Sequence, residues 1–213
     1  VAQGPPPGQP RHSSSWAHLC HQQDESSLQG SPGLTCAMAV KAVIFDVGRV
    51  LFDWDRRYLF AKLIADQDEL DRFLNDVVPL EWHNQHDAGR PITEMIDERV
   101  AQFPQHEELL RAYADRWLET IPGPVAGVHS LVEQLAGNGV PLFAITNFGA
   151  DFWAMFRPTA PIFDHFLDIV VSGIEKMMKP GPDIYRLALA RFGLAPGEGL
   201  FVDDSLANVL AAR

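Results

Sequence analysis

Cysteine is nearly missing from this chain of 213 residues: there are two, Cys20 and Cys36, and both lie within residues 1–37. The rest of the chain therefore has no disulfide framework to rely on. No apolar run approaches the roughly 20 residues that span a bilayer, and residues 1–37 lack the apolar core of a secretory signal. These shortages predict a cytoplasmic protein with no membrane partner. Positive charge is scarce as well, with 17 Lys and Arg against 28 Asp and Glu, for a formal net charge of −11. Such a balance argues against nucleic acid or an anionic membrane surface as a partner. A small anionic substrate stays open, because one basic group and a metal ion reverse the field inside a pocket.

Residues 1–37 hold five Pro, four Gly and six Ser with no apolar periodicity. Such a segment buries too little surface to offset the entropy of ordering it, so it is expected to be a disordered tail upstream of a natural start at Met38. A zinc site from His18, Cys20, His21 and Cys36 fits no usual ligand spacing and is the weaker reading.

What is present from Met38 onward is composed like a globular protein, 46% hydrophobic and 21% charged over the whole chain. "AVIFD" (42–46), "PLFAITN" (141–147), "DIVVS" (168–172) and "LFVDD" (200–204) are short, continuously apolar runs, as strands of a parallel sheet covered on both faces would be. Between the first and second come apolar stripes at helical spacing: Leu70, Phe73, Leu74, Val77; Ile92, Met95, Ile96, Val100; Leu109, Leu110, Tyr113, Trp117. These are read as core. Val125 to Leu135 and Pro182 to Phe192 predict further helices, the second started by its proline and ended by Gly193. The pattern predicts an α/β fold: a Rossmann-like open parallel sheet with an inserted all-helical cap. The core domain is placed at 38–55 and 121–213 and the cap at 56–120.

Each predicted strand ends on polar residues: Asp46, Thr146–Asn147, Ser172, Asp203–Asp204. In open α/β sheets that carboxyl edge is where ligands bind. A single Asp there is more simply a helix cap, but four such endings with Lys179 beside them are not capping. Three acids at one edge repel one another unless they share a cation, which points to a hard divalent ion such as Mg2+.

"FDVGRV", "AITN", "KPGPDIY" and "FVDDSLANV" resemble the four ordered motifs of the haloacid dehalogenase-like superfamily, over about residues 40–213. The resemblance implies that Asp46 is the nucleophile and a metal ligand and that Thr146 binds the phosphoryl group, with Asn147 next to it. It implies that Lys179 neutralises nucleophile and phosphate, and that Asp204, with Asp203 beside it, holds the metal. The family continues past its fourth motif with another strand and helix, so the reading expects a fragment whose fourth strand is an edge.

Typical phosphatases of the family carry a second Asp where this chain has Gly48, to protonate the leaving alcohol. Some members with a DxG motif, similar to sugar-phosphate phosphatases, manage without it, and the Gly48 carbonyl can still bind metal. Loss of that acid also suits a 2-haloacid dehalogenase, whose halide leaves without a proton. The paired acids at 203 and 204 favour a Mg2+-dependent phosphomonoesterase acting on a small phosphorylated metabolite, a sugar phosphate among the options, through an aspartyl-phosphate. A catalytically silent binding protein is the reading from outside enzymology. Arg49 is a candidate for a substrate anion, although a solvated arginine is the simpler reading. "EWHNQHDAGRP" (81–91) is expected to be a loop between cap helices, with His83 and His86 as substitute proton donors. His129 and His165 are assigned nothing.

Overall fold

A computed structural model of the chain describes residues 40–213. The expectations for residues 1–37, the tail and the zinc reading alike, lie outside the described residues. In chain order the elements are β1 (Ala42–Phe45), β2 (Phe52–Asp53), α1 (Arg57–Phe60), α2 (Gln67–Arg72), α3 (Leu80–Asp87), α4 (Ile92–Gln102) and α5 (Glu107–Asp115). Then follow β3 (Gly123–Pro124), α6 (Val128–Gly137), β4 (Leu142–Thr146), α7 (Ala150–Phe156), β5 (Asp168–Val171), α8 (Ser172–Glu175), α9 (Pro182–Phe192), β6 (Gly199–Val202) and α10 (Leu206–Ala211). Among the described residues no helix is long and apolar enough to cross a membrane.

The four predicted strands form one parallel sheet in the order β5–β4–β1–β6, with Val43 opposite both Leu142 and Leu200. Side chains of a strand alternate between faces, so a continuous apolar run supplies two cores at once. Val43, Phe45, Leu142 and Ala144 face the larger core. Ala42, Ile44, Phe143 and Ile145 face a smaller one closed by Ile184, Tyr185, Ala188 and Phe192 of α9. That helix ends at Gly193, whose φ of 67° a side chain would disfavour. Strand β6 is the less covered edge, with Leu200 51% exposed.

The chain leaves this core along β2 and returns along β3, which pair antiparallel, Phe52 with Pro124 and Asp53 with Gly123. All of α1 to α5 lie between these two strands. Their predicted stripes are buried: Leu70, Phe73, Leu74, Val77, Met95, Ile96, Leu110, Tyr113 and Trp117 all pack into the larger core. After α2 a single π-helical turn, Phe73–Val77, carries the stripe onward. Carbonyls at its end are satisfied by arginines: Arg56 donates to the Val78 oxygen and Arg99 Nε to the Val77 oxygen.

One expectation is overturned. Residues 80–87 are not a loop but helix α3, and its His83, His86 and Asp87 are buried. Trp82 is the lone aromatic of "EWHNQHD", so no apolar stripe announces a helix. The helix is held from outside, by contacts its polar residues make with the rest of the protein.

Candidate active site

Strand β1 delivers Asp46 to the carboxyl edge, where its backbone N–H donates to the Val202 oxygen at 2.8 Å. The side chain is buried, with Lys179 Nζ 2.8 Å from Oδ1. Burial pushes the Asp46 carboxyl up to about 6, partly countered by Lys179 and reinforced by Asp203. Lys179 is itself buried and reaches Asp203 Oδ2 at 2.7 Å with the same ammonium.

The two acids after β6 are sorted by their surroundings. Both oxygens of Asp203 are engaged: Oδ1 accepts from Ser205 N and Asn208 Nδ2, each at 2.9 Å, and Oδ2 accepts from Lys179. Asp204 is exposed and opens on the cavity described below. One oxygen each from Asp46, Asp203 and Asp204 lie within 4.8 Å of one another. Three hard oxygen donors gathered so closely suit a divalent cation that prefers oxygen.

Asn147, predicted beside the phosphate, has its side chain taken up by the lysine loop. Its Nδ2 donates to the Lys179 oxygen and its Oδ1 accepts from the Lys179 N–H, both at 2.9 Å. That amide braces Lys179, and its second N–H is left for the cavity that Asn147 lines. Thr146 is buried, and its Oγ1 finds no hydrogen-bond partner. An orphaned hydroxyl at a strand end is costly unless a ligand completes it.

Residue 48 needs no glycine for its backbone. A Cβ there would meet nothing within 4 Å, and the left-handed residue of this turn is Arg49, with φ of 59°. The Arg49 N–H donates to the Phe52 oxygen at 2.6 Å, closing the turn, and its guanidinium lies 5.7 Å from the Trp54 ring centre.

Above these groups is a cavity of about 330 Å³. Asp46, Gly48, Arg49, Asn147, Lys179 and Asp204 line it from the core; Thr146 and Asp203 do not. From the other side come Trp54, Leu80, His83, Asn84, Asp87 and Trp117. The helical insertion therefore roofs the site.

Neither predicted histidine donor fits that role. Burial, with Arg56 and His86 nearby, lowers His83 to about 3, so its ring is neutral near pH 7. It stacks on Trp54 at 5.0 Å, and Nδ1 lies 2.7 Å from the Tyr113 hydroxyl. His86 does not line the cavity: its Nδ1 is 2.8 Å from the Arg90 oxygen, and its ring is wedged against Gly149. The acid 3.5 Å from His83 and next to His86 in sequence, Asp87, is a cavity-lining group that the sequence does not mark.

A family model described as haloacid dehalogenase-like hydrolase matches residues 40–213. The chain is a haloacid dehalogenase-like hydrolase. It is 30% identical over 185 residues to the sesquiterpene phosphatase astK of Aspergillus oryzae, covering 81% of this chain and 85% of that one. It is 33% identical over 129 residues to the phosphoglycolate phosphatase of Yersinia pestis, spanning 60% of this chain but about half, 53%, of that relative. Among solved structures, a family enzyme from Bacteroides thetaiotaomicron in complex with magnesium and inorganic phosphate has the same fold. Its TM-score is 0.62 at 22% identity, with 82% of this chain and 89% of that chain covered. Dehalogenases share the fold too, so fold does not separate the two chemistries. These curated relatives are named as phosphatases, and the oxygen cluster at Asp46, Asp203 and Asp204 of this chain suits a hard divalent cation such as the magnesium bound by that neighbour.

Proposed function

We propose that this hydrolase is a phosphomonoesterase that forms an aspartyl-phosphate on Asp46 and acts on small phosphate esters with an apolar organic part. The observation that carries the chemistry is the Asp46 carboxylate, set 2.8 Å from Lys179 Nζ at the floor of a roofed cavity. An Asp46 oxygen attacks phosphorus in line and water later releases the phosphate. Lys179, held in place by Asp203 and by the Asn147 amide, offsets charge on nucleophile and phosphoryl oxygens. Thr146 Oγ1, unpartnered one residue before the cavity-lining Asn147, is assigned to a phosphoryl oxygen that reaches past that lining to the end of β4. Asp46, the Gly48 carbonyl and Asp204 would hold magnesium, with Asp203 as the buried acid behind them. Bound magnesium supplies positive charge that keeps Asp46 ionised and favours phosphoryl transfer.

The segment 56–120 acts as the cap that selects the substrate. With its neighbours it brings both kinds of group to the cavity: apolar Trp54, Leu80, Trp117 and Ile121 beside polar His83, Asn84 and Asp87. The four apolar side chains give the organic part of an ester a carbon surface on which to bury. The sesquiterpene phosphatase among the relatives supports the same choice. The dehalogenase alternative gives no use to Asp204, an exposed acid turned to the cavity.

EDTA should abolish phosphate release from p-nitrophenyl phosphate and Mg2+ should restore it, whereas Asp204→Ala should lose at least about 10²-fold in rate at saturating Mg2+. Full activity in EDTA, or halide release from 2-chloropropionate, would count for the dehalogenase.

A further inference from the structure

With glycine at position 48, the reaction proposed above lacks a proton donor for the departing oxygen, and an alkoxide leaves poorly without one. The cap places a carboxyl in the same cavity. Asp87 is 5% exposed and lines the space that Asp46, Lys179 and Asp204 line from below.

Its position is built rather than incidental. Ser172, at the end of β5, donates its hydroxyl to the Asp87 backbone oxygen at 2.6 Å and accepts the Phe148 N–H at 2.9 Å. Two residues on, Gly89 turns with φ of 100° so closely over Gly173 that a Cβ would stand 3.0 Å from the Gly173 oxygen. The Ile92 N–H reaches Asp151 Oδ2 at 3.2 Å. The end of α3 is thus pinned to the carboxyl edge of the sheet at Asp87 and again at Gly89 and Ile92 just after it.

The surroundings favour the neutral acid. Asp87 is the last residue of α3, where the carbonyl end of a helix disfavours negative charge. Groups facing its carboxyl are His83, with Nε2 3.5 Å from Oδ2, then His86 on the same helix, the Gly149 N–H before α7, and Lys179 beyond α8. His83 is neutral, as shown above, and Lys179 is already shared by Asp46 and Asp203. Burial dominates, and the carboxyl is pushed up to about 7 against the pull of His86, Gly149 and Lys179.

We propose that Asp87, carried on the cap, is the general acid and base of this phosphatase, in place of the acid missing at position 48. The proposal rests on the phosphomonoesterase reading. As the Asp46–phosphorus bond forms and the bond from phosphorus to the ester oxygen breaks, the Asp87 proton passes to that oxygen and the alcohol leaves neutral. The Asp87 carboxylate then takes a proton from the water that attacks phosphorus. Phosphate departs, and Asp46 and protonated Asp87 are regenerated.

The test uses the full chain with Mg2+ and two probes, n-hexyl phosphate and p-nitrophenyl phosphate. Rates are read in the first turnover, which separates ester cleavage from breakdown of the aspartyl-phosphate. Asp87→Asn should slow cleavage of n-hexyl phosphate by about 10²–10⁴-fold, the usual worth of general-acid assistance. Nitrophenolate leaves without a proton, so p-nitrophenyl phosphate should slow by less than about tenfold. Nitrophenyl cleavage also reports that the variant has folded; should Asp87→Asn not fold, Asp87→Ser carries the same comparison. Equal losses on both probes, or no loss on either, overturn the proposal while leaving the phosphomonoesterase reading standing. Release from neither probe by the unmodified protein overturns both.

Discussion

At the scale of residues, the site is an arrangement of carboxyls given different characters by what surrounds them. Asp203 has both oxygens bonded, Asp204 is open to the cavity, Asp46 shares a lysine, and Asp87 faces a neutral histidine at 3.5 Å. Desolvation decides the last of these, and it has a thermodynamic consequence. A carboxyl with an ordinary value of 3.8 that stands at about 7 when folded holds its proton more tightly folded than unfolded. Stability therefore falls as pH rises through the window from about 4 to about 7, and the ionised group is a burden above it. Asp87→Asn removes that burden. Its melting temperature should exceed the unmodified protein's at pH 8, by the equivalent of up to a few kcal/mol, and the gap should close toward pH 4. Thermal melts across that range check it; a gap that widens toward pH 4 would show that the acid is ionised in the fold.

Among elements, α3 is the instructive one. It has no apolar stripe of its own and owes its place to a serine, two glycines and an aspartate on other parts of the chain. Ser172 is fully buried and joins the Phe148 N–H to the Asp87 oxygen. Ser172→Ala should leave both backbone groups buried without their partner, at a cost of about 1–3 kcal/mol in urea denaturation. It should also lower first-turnover cleavage of n-hexyl phosphate more than that of p-nitrophenyl phosphate, because it loosens the end of the helix that carries Asp87. A stability loss with both rates unchanged would separate the anchor from the chemistry.

Seen whole, the hydrolase is a sheet that presents charge and a helical insertion that adds apolar side chains and the Asp87 carboxyl, joined by the short ribbon of β2 and β3. The two surfaces make opposite demands on one substrate, an anion below and a carbon skeleton above. Burying methylene groups is worth roughly 0.8 kcal/mol each, so kcat/KM should favour n-hexyl phosphate over glycerol 1-phosphate by at least about tenfold. Leu80, 42% exposed on the cavity, is the residue to alter. Leu80→Asp should shrink that preference with little effect on stability, since so much of the side chain is already in water.

Much of this was local and therefore legible along the chain. A run such as "AVIFD" has no polar position until its last residue, so it can be buried on both faces and must end at an edge where a carboxylate finds partners. Four such runs in order, with Lys179 between the third and fourth, determined the parallel sheet, the convergence of Asp46 and Lys179, and the gathering of the acids. Helical spacing likewise determined which cap residues are core. Only the tertiary structure decided that Asp203 braces while Asp204 faces the cavity, that Asn147 spends its amide on Lys179, and that α3 is a helix at all. It alone singled out Asp87 over His83 and His86. The reason is the reach of the contacts involved: Ser172 grips Asp87 from 85 residues away, and the acidity of a carboxyl depends on the water that distant segments exclude.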